Sequence, residues 1–424
     1  PGTVLALTVS MTFPPESPSA PASAEAATRM LPAEKRASVS LAALFALRML
    51  GLFLVLPVFM LQARQYPGGD DPALIGLAMG AYGLTQALMQ MPLGLASDRF
   101  GRKRVIVLGL AVFALGSGIA ALATSVEWLL VGRAVQGAGA ISAAVTALLA
   151  DLTRDEVRTK GMALIGASIG LMFALSLVIA PPLAGELGLP GIFGMTLLLA
   201  LAGIVVVLRW TPPEPAQPVN VPRGQLRDVL WHPALWRLNL GVFVLHAVQL
   251  GMWMAVPAML TQTGLPPASH WQVYLPAVLG SFVLMGGLFA LERRGYLRAV
   301  LRFAVLLLLL VQAGLFWVAS SDVSLWQLAV LLFLFFVSFN ILEASQPSLV
   351  SRLAPVASRG AALGLYNTLQ SVGFFVGGAV GGEIVKAEGT QGLFLACGAA
   401  VVVWLVLGWG LQVPPPKAGT NRAT

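Results

Sequence analysis

Long apolar stretches alternate with short polar ones along most of the chain. Runs such as 304–319 and 391–411 are continuously apolar. They read as helices, because the strands of a membrane barrel alternate apolar and polar at every second residue. A helix of about 20 mainly apolar residues crosses a bilayer, and backbone exposed to lipid must satisfy its own hydrogen bonds. The pattern predicts twelve such helices. Six fall at 39–61, 74–97, 105–124, 128–150, 162–185 and 191–209, and six at 238–260, 272–291, 300–319, 324–350, 361–383 and 391–412. The expected organisation is a tail (1–37), a first six-helix bundle (38–209), a linker (210–237), a second six-helix bundle (238–412) and a tail (413–424). The first tail, with PPESPSAPASAEAA, has the composition of a disordered segment. Residues 4–13 are too short for a signal peptide. In the linker, QLRDVLWHPALWRL (225–238) reads either as a helix lying on the inner leaflet or as an irregular tether.

Composition strengthens the membrane reading. Of 424 residues, 57% are hydrophobic and only 10% charged, too few to cover a water-soluble surface of this size. The net charge of +8 is explained by basic residues gathered in alternate connections. One set of loops holds Arg99, Arg102, Lys103 and Arg104; Arg154, Arg158 and Lys160; Arg223 and Arg227; Arg293, Arg294 and Arg298; and Arg352 and Arg359. The other set holds little beyond Arg64 and Lys386. The positive-inside rule then places both termini in the cytoplasm, as an even number of crossings requires. Nucleic acid is not an expected partner, because no basic stretch is interleaved with base-stacking aromatics. Cys397 is the only cysteine, and His232, His246 and His270 lie far apart, so neither an internal disulfide nor a zinc site is expected.

The two halves echo each other. LASDRFGRKR (95–104) aligns with FALERRGYLR (289–298), pairing Asp98 with Glu292, Arg99 with Arg293, Gly101 with Gly295 and Arg104 with Arg298. Lys160-Gly161 likewise aligns with Arg359-Gly360. Duplicated bundles are a common plan for transporters.

GLASDRFGRKRVIVLGL (94–110) resembles the cytoplasmic-loop motif of the major facilitator superfamily at Gly94, Asp98, Arg99, Gly101, Arg102 and Lys103. Arg133, Gln136, Gly137 and Gly139 resemble its second motif. Gly166, Gly170, Pro181 and Gly185 are a partial match to its antiporter motif, with Ala180 and Ala184 where glycines are expected. Longer segments, among them FALRMLGLFLVLPVF (45–59), HWQVYL (270–275) and LFFVSFNILEASQPSLVS (334–351), are similar to the YajR-type drug/proton antiporters. The resemblance covers about 38–412 and implies an all-α membrane protein, with two pseudo-symmetric six-helix bundles and a monomeric state. That type carries a soluble domain after its last helix, and the present sequence stops at Thr424. The resemblance further implies that Asp98, Arg102 and Asp151 form a charge cluster latching the cytoplasmic side. Asp98 would face the N-terminus of the eleventh span near Gly360–Gly364, where a helix dipole favours a carboxylate. The alternative is that these charges only fix topology.

Ionisable groups inside a bilayer are costly and therefore functional candidates. Arg48 lies mid-span in the first helix, Arg133 in the outer half of the fourth, and Glu343 deep in the tenth. Each is a candidate for proton coupling; carbonyl-bonded arginines and a structurally bonded glutamate are the alternatives. Polar residues three or four apart share a helix face. Such sets are Tyr82, Gln86 and Gln90; His246, Gln249 and Trp253; Asn340 and Glu343; and Asn367 and Gln370. Together with Gln136 they are candidates to line a substrate cavity, or else to bond helix to helix. Pro181-Pro182 is expected to break or kink the fifth span.

The function expected is proton-coupled export of small, amphipathic molecules across the inner membrane, with no cofactor. The alternatives are an uptake symporter or uniporter on the same fold, and a membrane-embedded enzyme. No GxxxxGK[ST] or HExxH pattern occurs to support ATP-driven pumping or metal-assisted hydrolysis.

Overall fold

The structure is a computed structural model that describes residues 29–214, 229–230, 232–321, 323–355 and 358–411. The expected disorder at 1–28 and 413–424, the linker's Arg223 and Arg227, and positions 225–228 and 231 of the 225–238 segment lie outside the described residues. Residues 32–37, expected to belong to the disordered tail, are instead helical, because they form the first turns of the helix Pro32–Phe53. Among the described residues every regular element is helical. The first half contains α1 (Pro32–Phe53), α2 (Phe59–Ala63), α3 (Pro72–Phe100), α4 (Arg102–Ala121), α5 (Val126–Ala138), α6 (Ser142–Asp151) and α7 (Asp155–Val205). The second contains α8 (Pro233–Gln262), α9 (Trp271–Leu291), α10 (Leu297–Val318), α11 (Leu325–Leu353) and α12 (Arg359–Gly408).

Ten of the described helical stretches are long and apolar enough to cross a membrane. Two of them, Glu156–Trp210 and Arg359–Gly408, run for 55 and 50 residues. A straight helix of that length would reach about 75 Å, more than twice a hydrocarbon core of about 30 Å. Each is broken by one glycine in a left-handed conformation: Gly188 (φ 62°, ψ −163°) and Gly389 (φ 70°, ψ −170°). A side chain with a Cβ resists that conformation. The break expected at Pro181-Pro182 is thus displaced. Helical backbone continues through both prolines, as membrane helices tolerate when neighbouring groups re-satisfy the freed carbonyls.

The same correspondence recurs at the basic loops. Gly101 and Gly295 both turn the chain at positive φ, 99° and 96°. The sequence echo between the halves therefore has a conformational counterpart.

Helices of the first half pack chiefly on one another: α1 on α7, α3 and α4 on α5, and α4 on α7. In the second half α8 packs on α12, and α10 on α11 and α12. Two seams join the halves, α3 against α12 and α7 against α9. Long apolar side chains such as Leu122, Val283 and Val406 point outward and are well exposed, as suits a surface solvated by lipid.

The α3–α12 seam is a zipper of glycines. A Cβ on Gly76 would lie 2.2 Å from the Gly378 carbonyl oxygen, and one on Gly382 2.6 Å from that of Pro72. At the other end of α12, a Cβ on Gly360 or Gly364 would meet nothing within 4 Å. The halves are therefore in backbone contact at the end away from the basic loops, and α12 makes no such contact at Gly360 and Gly364.

Candidate functional site

Arg48 is fully enclosed within the first half. Its Nη1 donates to Ser142 Oγ (3.2 Å), and its Nη2 to Tyr82 Oη (3.1 Å) and Gln86 Oε1 (3.2 Å). Tyr82 and Gln86 sit one turn apart on α3, so a single guanidinium gathers the face that the helical spacing picked out. Gln86 then uses its amide Nε2 to donate to Ser371 Oγ across the seam (2.9 Å).

Ser371 follows Gln370 on α12, and Gln370 belongs to a second cluster. His246 Nδ1 lies 2.9 Å from the Val242 carbonyl oxygen. A carbonyl only accepts, so Nδ1 carries hydrogen and a neutral ring presents a lone pair at Nε2. Gln370 Nε2 approaches that atom at 2.7 Å and Glu343 Oε1 at 3.4 Å. Glu343 Oε2 lies 3.3 Å from His246 Nε2. A carboxylate lone pair facing an imidazole lone pair is repulsive; one added proton makes the contact attractive. Phe339 and Phe374 stand edge-on to the imidazole, with centroids 5.8 and 5.0 Å away. The carboxyl group, partly exposed, thus shares its site with a buried base and aromatic faces.

Arg133 is buried, and its Nη1 donates to Gln136 Oε1 (3.0 Å), whose Nε2 donates to Ser117 Oγ (2.8 Å). Its guanidinium also lies 4.7 Å from the Tyr82 ring centroid. Tyr82 therefore stands between the two buried arginines, giving its hydroxyl to Arg48 and its ring face to Arg133, a favourable cation–π placement.

The other expected cavity residues are more dispersed. Asn340 donates to Ser281 Oγ (2.8 Å), and the Asn367 carbonyl accepts from Ser371. Gln90, Gln249 and Trp253 are buried, each with a side-chain polar atom lacking a hydrogen-bond partner among the described residues. Ser142, Ser371, Phe339 and Phe374 were not singled out in the sequence. The position of Ser371, beside Gln370 on a polar helix turn, was the available signal.

At the basic-loop end, Arg102 ties together three groups. It bonds Asp98, Asp151 (Nε to Oδ2, 3.1 Å) and Ser97 (Nη1 to Oγ, 2.8 Å). Lys103 Nζ donates to the Thr211 carbonyl (2.7 Å), and its backbone N–H to Glu214 Oε2 (3.2 Å). Gly94 accepts from Ser97 Oγ, while Arg99 is exposed against the Phe100 ring. Arg154 pairs with Glu34 (2.7 Å). Among the described residues, no group of three or more His, Cys, Asp or Glu side chains is placed to hold a metal.

At the opposite end an ion pair crosses the seam, Lys386 Nζ to Asp71 Oδ2 at 3.0 Å. Asp71 also caps α3 by accepting from Ala73 N (2.9 Å). Lys386 holds the Asp71 carboxyl below the usual carboxylate range. A depressed carboxylate pKa means that the pairing persists at neutral pH and is lost only as strong acid protonates the group. We therefore expect Asp71→Asn to leave the pH profile of transport unshifted near neutrality, as measured by initial rates across an imposed pH series.

The sequence pattern described as Major Facilitator Superfamily matches residues 38–378 and, in a second overlapping match, 344–424. The chain is 43% identical to the inner membrane transport protein YajR of Escherichia coli, over 91% of this chain and 86% of that protein. It is 24% identical to the quinolone resistance protein NorA of Staphylococcus aureus, over 84% and 92%. Its fold superposes on the D-xylose-proton symporter with a TM-score of 0.72 at 16% identity, covering 90% and 98%.

Proposed function

The chain belongs to the major facilitator superfamily of membrane transporters, and from that premise we propose that it exports small amphipathic molecules in exchange for protons. The observation that carries this reading is the Glu343–His246 contact, whose attraction requires a proton. Gln370 and Ser371, adjacent on α12, link it to Arg48 through Gln86. Proton arrival at Glu343 thereby acts on the seam that must open and close. Phe374, partly exposed, supplies a flat apolar face beside these few polar groups, which suits substrates with an apolar body and a polar tip.

The cycle we propose is alternating access. The glycine breaks at 188 and 389 divide the two longest helices, giving twelve crossings in bundles 38–209 and 238–412. Both termini lie in the cytoplasm, and the protein acts as a monomer. The present conformation then opens to the cytoplasm. In the opposite conformation the Asp98–Arg102–Asp151 cluster closes on the N-terminus of α12 near Gly364. Asp98→Asn is expected to weaken that closure, lowering the transport rate several-fold, an effect in the range of one lost charge-assisted contact.

The experiment is flux in proteoliposomes loaded with ethidium or a fluoroquinolone. Export coupled to opposite proton movement supports antiport; proton and dye moving together would establish symport. The relative named as a quinolone resistance protein motivates the probe.

A further inference from the structure

We propose that the notch between α8, α10 and the C-terminal end of α12 is a binding site for an anionic phospholipid. The notch is lined by residues of the second half. Three arginines converge there on the last carbonyls of α12. Arg302 Nη2 donates to Trp409 O (2.8 Å), Arg298 Nη2 to the same oxygen (3.4 Å), and Arg237 Nε to Leu407 O (3.1 Å). The Arg302 guanidinium also stacks over the Trp409 ring, 4.0 Å from its centroid.

One arginine would be enough to cap a helix C-terminus. Here three positive charges meet, and among the described residues no salt bridge reaches any of them. Each guanidinium retains N–H groups not given to a carbonyl, because none makes more than two such bonds. The missing complement is an anion with several oxygens.

A second observation points into the same notch. Gln346 on α11 lines the notch and is 2% exposed, yet neither its Oε1 nor its Nε2 has a hydrogen-bond partner among the described residues. A buried amide left in this state is costly, and a glycerol or ester oxygen would satisfy it. The rest of the lining is mainly leucine, valine and tryptophan. Beyond the notch, Phe303, Val406 and Leu407 are exposed apolar side chains. Arginines above an apolar cleft that runs out to the lipid-facing surface fit a phosphodiester headgroup with acyl chains, and fit a free anion poorly. Basic pockets between spans on the cytoplasmic side favour such headgroups. The choice of leaflet rests on the orientation proposed above; the lipid class does not.

The site also lies close to the proton pair. Gln346 is three residues from Glu343 on α11, so the two are neighbours along one helix. Occupancy of the notch would steady the helix that carries the carboxyl group.

The test is native mass spectrometry of the whole protein, released from nanodiscs containing phosphatidylglycerol, phosphatidylethanolamine, or both. Wild type should retain phosphatidylglycerol in preference to phosphatidylethanolamine. The triple variant Arg237→Gln, Arg298→Gln, Arg302→Gln should lose roughly tenfold in that preference. The single variant Arg302→Gln guards against misfolding and should show a partial loss. Equal retention of both lipids by wild type, or unchanged preference in Arg302→Gln and the folded triple variant, would overturn the proposal. So would displacement of phosphatidylglycerol by millimolar inorganic phosphate, which would mark a site for free anions. None of these readouts depends on transport, so failure here and failure of the export reading are separable.

Discussion

Glu343→Gln should abolish transport driven by a pH gradient while leaving substrate exchange across the membrane measurable. The argument starts from the lone pairs. His246 commits its Nδ1 hydrogen to Val242 O, so a neutral ring offers Glu343 only a lone pair at Nε2, which the Gln370 amide also meets. A direct bond between acid and ring needs a proton, on the carboxyl or on Nε2; without one, the Gln370 amide is the bridge between them. Glutamine replaces the acid by an amide of nearly the same shape that can donate to Nε2 permanently. The contact then survives without a titrating group, and the protein resembles its protonated state at every pH. Net proton-coupled flux in proteoliposomes should fall by roughly tenfold or more, as expected for removal of an intramembrane group that carries the proton. Exchange of labelled for unlabelled substrate, which needs no net proton movement, should persist. Retention of full gradient-driven rate in Glu343→Gln would remove the proton role from this residue.

The partner matters as much as the acid. His246→Gln keeps an amide against Glu343 but removes the base, so it should shift the pH dependence of transport without eliminating coupling. A purely structural histidine would change rate at all pH values alike. The contrast with Asp71 follows from surroundings: its lysine partner keeps that carboxylate ionised at neutral pH.

Much of this arrangement was legible in the chain, and the reasons for the remainder are physical. Hydrophobic runs and loop charges located most of the helices, because lipid imposes composition on length, but α1 and α7 each begin seven residues before their expected starts at 39 and 162. Helical spacing placed Tyr82 with Gln86 on one face and Asn340 near Glu343, because that periodicity is local. It does not say which face meets which. The bonds from Arg48 to Ser142 and from Gln86 to Ser371 join residues far apart in sequence, and a serine in a membrane helix carries little signal of its own. Gln90 shares the spacing of Tyr82 and Gln86 yet lies buried with unpartnered amide atoms, since one turn further along α3 the opposing surface changes. The turn at Gly188 was masked by the two prolines before it. Proline disfavours a helix, but only a left-handed residue reverses one, and that distinction is conformational.

The second large effect concerns the seam itself. Gly378→Val should hold the transporter with its outer end open. A Cβ at position 378 would lie 2.6 Å from Gly76 O, 2.8 Å from Gly80 N and 2.9 Å from Gly80 Cα. All three are backbone atoms of α3, so no side chain can swing aside, and the helices must part. Gly364→Val is the complementary change. In the present conformation its Cβ meets nothing within 4 Å, so this state tolerates it. If the halves rock about the cavity, that end of α12 closes on α3 in the other state, and the same added bulk opposes closure there. The two substitutions should therefore both reduce transport by roughly tenfold or more while driving the equilibrium in opposite directions, since a population shift of that size needs only a modest difference between states. Spin labels on Asp70→Cys and Glu388→Cys, with Cys397→Ala removing the native thiol, report the outer gap. The distance should lengthen in Gly378→Val and settle at its short value in Gly364→Val. A common shift in both variants, or a short outer distance in Gly378→Val with the protein folded, would show that the α3–α12 seam does not gate the outer end.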